Sequence, residues 1–340
     1  MTMHHYVEQR RSRAVRETFY GDPIVSFLYS RVREEAGWLF RALTSARLTA
    51  LLGALHFDLR PVNPARMRAQ LARTCGMDLT ECADPLETLD TARKVFERKI
   101  RYWDCRSMEP DVAAIVSPAD ARLLAGSFQR KSALFLKDKL FRYEEMLGED
   151  KPDWQDAFRG GDYAVLRLTP DKYHYNHVPA TGVVRDIYEI DGVFQSCHPA
   201  VVVAQAAPHS KNRRTVTIID TDVANGTQAG LVAMIEVVAL MIGDIVQCYS
   251  AKHYDKPSPI HIGMRLERGY PKSIFRPGSS TVVLIFQKGR IRFRDDILAN
   301  LRRSDLSSLY SAAWGKSLIE SDIPVRATIA RAMPGGCQCP

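Results

Sequence analysis

FRPGSSTVVLIF, Phe275 to Phe286, sets the architecture: a Gly-Ser turn opens directly into an apolar run of strand length. Gly278 admits backbone conformations closed to other residues, and a serine beside it presents a hydroxyl to the carbonyl of its own preceding peptide bond. Taken alone, the turn is an ordinary strand entry. Upstream of it the same texture recurs over Ala113–Val116, Tyr163–Leu168, Gly182–Ile187, Ala200–Ala204, Thr215–Ile219, Leu231–Val238 and Ile245–Tyr249, each read as a strand.

The amino-terminal part reads differently. Between residues 15 and 105 the pattern is helical, with Trp38, Leu39, Leu43, Leu51, Leu52 and Leu55 at spacings near three and four. Arg41 and Arg47 lie between them, so this stripe packs on the core or faces an anionic bilayer. A second helix is expected over Leu86–Ile100. The fold class is therefore α+β: a helical region over 1–107 packed on a β-rich, mostly antiparallel domain over 108–340.

Composition bounds the function. The chain has 340 residues, 46% of them apolar and 25% charged, which suits a folded protein rather than a disordered one. The longest candidate for a spanning helix, Ala229–Val246, is interrupted by Glu236 and Asp244. Arg10, Arg11, Arg13 and Arg16 precede no apolar segment of signal-peptide length, so a cytoplasmic location is expected. The net charge of +8 favours anionic partners. Seven cysteines without a repeated C-x-x-C pair suit reduced thiols, and Cys337 and Cys339 supply only half of a closed metal shell.

Two further clusters carry chemistry. Ser117-Pro118-Ala119-Asp120 places a carboxylate after a strand. Tyr173-His174-Tyr175-Asn176-His177-Val178-Pro179 sets two imidazoles three residues apart, suited to separate proton transfers near neutral pH. Zinc ligation is the rival reading, but no Cys or acidic residue lies inside the cluster.

Together with the Gly-Ser turn, these clusters resemble the phosphatidylserine decarboxylases over Phe96–Met333. Phe96-Glu97-Arg98-Lys99-Ile100, Ile115-Val116-Ser117-Pro118-Ala119-Asp120, Met146-Leu147-Gly148 and Tyr173-His174 with His177, Pro179 and Gly182 match that family's motifs in order and spacing. The resemblance implies a pyruvoyl enzyme that makes its own prosthetic group, with no metal and no pyridoxal phosphate. Asp120, His177 and Ser279 or Ser280 would form the self-cleaving triad, with His177 taking the serine proton and Asp120 orienting the imidazolium. The pyruvoyl ketone would then form a Schiff base with the substrate amine and accept the electrons released with carbon dioxide. His174, with Tyr173, would bind substrate, and His174 would supply the proton that replaces the lost carboxylate.

A Gly-Ser junction places the cut between Gly278 and Ser279, the favoured position. Counting back along Ser280-Thr281-Val282 to Phe286 places it before Ser280 instead, unless a one-residue bulge absorbs the difference. Ala121, Asn176, Val178 and Cys197-His198-Pro199 depart from the family pattern, which leaves the substrate open between phosphatidylserine and a free amino acid such as an aromatic one. An uncleaved binding module is the reading from another class. The resemblance also implies a small-molecule or phospholipid substrate, a homodimer of αβ units, peripheral contact with the inner face of the membrane, and no nucleic acid.

Overall fold

The computed structural model describes residues 3–9, 12–17, 57–59, 61–129, 140–194, 196–204, 208–239, 244–278 and 280–335. The stripe from Trp38 to Leu55, Ser279 and the Cys337/Cys339 pair lie outside these residues. Among the described residues, no helix is long and apolar enough to cross a membrane.

The strands in chain order begin with β1 (His5–Glu8), β2 (Arg13–Arg16), β3 (Ala114–Val116), β4 (Ala121–Ser127), β5 (Asp162–Leu168) and β6 (Tyr175–His177). They continue with β7 (Gly182–Ile190), β8 (Arg214–Asp220), β9 (Leu231–Val238), β10 (Ile245–Gln247) and β11 (Arg265–Leu266). The last are β12 (Pro271–Phe275), β13 (Ser280–Phe286), β14 (Ile291–Phe293), β15 (Glu320–Ile323) and β16 (Thr328–Ala332). Ten form one sheet in the order β11-β7-β8-β9-β13-β5-β4-β15-β1-β2, and two three-stranded sheets, β10-β12-β6 and β14-β16-β3, accompany it. Among the described strands, pairing is antiparallel except between β1 and β15.

β13 is hydrogen-bonded on both sides, to β5 and to β9, in unbroken register from Ser280 to Phe286. Its alternate residues enter two cores: Val282, Leu284 and Phe286 one, Val283 and Ile285 the other. Burial on both faces explains the uninterrupted apolar run. Five such side chains contribute roughly 10 kcal/mol before conformational entropy is charged against them.

The strands expected from apolar runs are present, with one correction. Ala200–Ala204 lies in a helix, Pro199–Ala204, because a five-residue apolar run does not reveal its period and Pro199 suits a helix start. The helix expected over Leu86–Ile100 is also broken. A 3₁₀ turn at Leu86–Thr88 is followed by α-helix only over Ala92–Phe96, which Thr91 caps by accepting from the Lys94 N–H. Residues before position 107 join the large sheet: β1 pairs with β15, and Arg167 of β5 bonds Glu17 and Glu320 in a buried cluster completed by His4.

Candidate active site

Backbone hydrogen bonds join all three sequence clusters. The His177 N–H donates to the Pro118 carbonyl at 2.7 Å, and the Phe275 N–H to the His174 carbonyl at 3.0 Å. β6 and β12 pair antiparallel, so the histidine strand lies beside the strand that feeds the Gly278 turn. Ser280 opens β13 opposite Leu168, the last residue of β5, while Asp120 immediately precedes β4 on the next strand over. The cluster thus gathers at one end of the large sheet.

His177 is fully buried. Its Nδ1 lies 2.9 Å from the Gly269 carbonyl and its Nε2 3.0 Å from the Tyr173 hydroxyl. A carbonyl can only accept, which puts the proton on Nδ1 and leaves the Nε2 lone pair to accept from Tyr173. Burial lowers the imidazole to about 3, against a smaller opposing pull from the Gly269 carbonyl and Asp120. The ring is a neutral base at neutral pH. Tyr102 meets it edge-on at 4.7 Å, and Tyr254 continues the chain through a 2.7 Å contact with the Tyr173 hydroxyl.

Asp120 is held elsewhere. Its carboxylate accepts from Arg106 Nε at 3.0 Å and Nη2 at 2.8 Å, and from the Val325 N–H at 2.7 Å. Burial pushes this carboxyl upward, but the Arg106 guanidinium reverses that and holds it below the ordinary range. Arg106 in turn pairs with Glu81. Among the described residues the direct orienter of His177 is the Gly269 carbonyl, and Asp120 acts on the imidazole through its charge.

His174 is buried and stacked on Phe96, with ring centroids 3.7 Å apart. Neither ring nitrogen makes a hydrogen bond of good geometry among the described residues, and the Pro170 backbone is the one group close enough to pull on the ring as a hydrogen-bond partner. Burial, helped by the nearby Arg98 charge, lowers it to about 3. The Ser280 hydroxyl is likewise buried without a partner among the described residues. Because Ser280 alternates with Thr281 as Val282 does with Val283, it shares the face of β13 that packs with Phe275. Gly278 adopts a φ of 149°, in the region that favours glycine.

Tyr173, expected at the substrate, bonds His177 and Tyr254. Sequence reasoning did not find Arg106, Gly269, Tyr102 or Tyr254. Gly269 acts through a backbone carbonyl, for which residue type carries no signal.

The family model described as phosphatidylserine decarboxylase matches residues 92–305. The chain belongs to the phosphatidylserine decarboxylase family. It is 28% identical over 264 residues to a phosphatidylserine decarboxylase proenzyme of Bordetella petrii, covering 72% of this chain and 87% of that one. It is 32% identical over 221 residues to a proenzyme of Chlamydia trachomatis, covering 65% of this chain and 67% of the relative. Against phosphatidylserine decarboxylase proenzyme 2 of Oryza sativa subsp. japonica it is 32% identical over 232 residues, covering 67% of this chain and 34% of the longer relative. The family is one of carboxy-lyases, and the matched span holds Asp120, His174, His177, Gly278 and both candidate serines.

Proposed function

We propose that this chain is a self-processing, pyruvoyl-dependent decarboxylase that converts phosphatidylserine to phosphatidylethanolamine and carbon dioxide. The observation that carries the reading is His177: a buried, neutral imidazole with Nε2 as its basic atom, on the strand paired with the one feeding the Gly278 turn.

In maturation the Tyr173 hydroxyl gives up the His177 Nε2 lone pair to the serine proton as the serine oxygen attacks the carbonyl of the preceding residue; the imidazolium then hands that proton to the backbone nitrogen, whose bond to the carbonyl carbon breaks as the ester forms. The Asp120 charge favours the imidazolium while it lasts. Elimination then frees the carboxyl end of the upstream chain. Water enters and ammonia departs to leave a pyruvoyl group heading the downstream chain.

Three observations favour Ser280 over Ser279 as the nucleophile. Register along β13 is continuous from Ser280, which puts the additional residue of the turn before it. The bulge between β12 and β6 falls at Lys272, away from the serines. The Ser280 hydroxyl is buried without a partner among the described residues, an arrangement that costs stability and is kept where the group serves chemistry.

A pyruvoyl group supplies an electron sink for the carbanion left when carbon dioxide departs. His174, whose ring nitrogens have no side-chain partner among the described residues, holds the proton that this carbon then receives. Phospholipid turnover takes place at a bilayer surface, so peripheral contact belongs to the same proposal; the homodimer of αβ units rests on the family resemblance alone.

Intact mass of the purified protein tests it. Two chains are expected, the smaller beginning with pyruvoyl in place of Ser280. A cut before Ser279 would lengthen that chain by one serine residue, and a single uncut chain after long incubation would refute self-processing. Carbon dioxide release from phosphatidylserine vesicles, assayed beside free tryptophan, tyrosine and serine, tests the substrate; activity on the amino acids alone would refute the lipid assignment.

A further inference from the structure

Self-cleavage requires the sheet carrying the histidines to sit correctly against β13. Glu236 of β9, opposite Val282 of β13, lies two residues from the Val238–Ser280 pair, roughly 7 Å along the strand. Its fully buried carboxylate reaches every strand of the small sheet. Oε1 accepts from Asn176 Nδ2 of β6 at 3.1 Å and from the Ser273 hydroxyl of β12. Oε2 accepts from Lys272 Nζ of β12 at 2.7 Å and from Gln247 Nε2 of β10 at 2.9 Å. Lys272 also donates to Gln247 Oε1 at 2.8 Å.

The local backbone is shaped for this contact. Lys272 is the unpaired residue of the bulge in β12, and it and its neighbour Ser273 both reach Glu236. A bulge characteristically re-aims a side chain in this way. Asn176 sits between the two histidines, so the bond from Glu236 acts on the short segment that bears them.

A buried ion pair adds little stability over a well-packed apolar pair, because desolvation offsets the attraction. What it supplies is a single geometry, since the bonds fail if either sheet slides. We propose that the Glu236–Lys272 pair, acting through Asn176, Ser273 and Gln247, positions the histidine strand and the Gly278 turn against Ser280 for self-cleavage. The proposal rests on the self-processing reading and assigns these five side chains a positioning role.

The test compares full-length wild type with Glu236→Leu/Lys272→Met and Asn176→Ala. Precursor conversion after cell-free synthesis is followed by denaturing electrophoresis across pH, with the thermal midpoint of each variant measured alongside. The double variant leaves Asn176, Ser273 and Gln247 without their acceptor, so its midpoint should fall by several degrees, yet it should stay folded at the assay temperature and process at least about ten-fold more slowly, more than the midpoint accounts for. Its rate should be as independent of pH between 7.5 and 5.5 as that of wild type, because the base is unaltered. Asn176→Ala, which keeps the ion pair, should slow processing about three-fold or more in protein that remains folded at the assay temperature. Wild-type processing in the double variant, or rates that simply follow the midpoints, would overturn the proposal. Should the double variant fail to fold, wild-type processing in Asn176→Ala would overturn it. Wild type that remains uncut would overturn the underlying reading itself, and the proposal with it.

Discussion

Acidification provides the sharpest test of His177 as the maturation base. An imidazole at its ordinary value of about 6.5 is neutral in only about one molecule in eleven at pH 5.5. Burial lowers His177 to about 3, so nearly all molecules keep a basic Nε2 at that pH. Precursor synthesised at neutral pH in a cell-free system and shifted at once to a series of buffers should therefore process at the same rate, within about two-fold, from pH 7.5 to pH 5.5. Near-ultraviolet circular dichroism must confirm at each pH that the tertiary fold persists, because the same burial erodes stability. His174 is also lowered to about 3 and His209 to about 4, and in the unfolded chain all three would protonate first. Stability is complete above about pH 6.5 and declines as pH falls toward the folded values, by about 1.4 kcal/mol per histidine at pH 5.5 and so about 4 kcal/mol for the three. A ten-fold loss of processing rate by pH 5.5 in protein that remains folded would refute the assignment of a buried, neutral His177 as base.

Other perturbations separate the remaining roles. His177→Ala should leave the chain uncut, whereas His174→Ala should mature yet lose most carbon dioxide release; normal processing of His177→Ala would remove it from the mechanism. Asp120→Asn breaks the buried pair with Arg106 and should cost about 3 kcal/mol, lowering the thermal midpoint by several degrees, besides slowing the cut. Because the Asp120 carboxyl is held below its ordinary range, its contribution is present above about pH 4 and lost below it, so calorimetry should find the acid limb of stability flattened in that variant. Arg167→Met leaves Glu17 and Glu320 buried without their cation and should destabilise by about 3–5 kcal/mol, measured by urea unfolding; an unchanged midpoint would remove this cluster as the tie of the amino-terminal strands.

Legibility tracks burial. Strands with apolar residues on both faces, such as β9 and β13, stand out because no polar side chain interrupts them for long. β4, β15 and β1 do not, since Arg122, Asp322 and Tyr6 are accommodated by one another: the Arg122 guanidinium lies 3.3 Å from the centre of the Tyr6 ring and pairs with Asp322. Such partners lie far apart in the chain and leave no local period. The short strand at Tyr175–His177 is similarly hidden, being too brief to display alternation and legible only as a pair of histidines. In the site, residue type and spacing pick out His174, His177, Asp120 and the serines. They cannot announce that a backbone carbonyl 92 residues away fixes the His177 tautomer, or that Arg106 claims the Asp120 carboxylate.

Under the proposed cut at its first residue, the central place of β13 governs the fate of the two pieces. The downstream piece keeps β13 laced between β5 and β9, and farther along inserts β15 between β4 and β1. Cleavage therefore liberates two new termini without liberating a fragment. The two proposed pieces stay interwoven through one sheet and part only when that sheet comes undone. Once separated, they face a bimolecular search that the single-chain precursor never had to make, and heat inactivation should be far harder to reverse after the cut than before it.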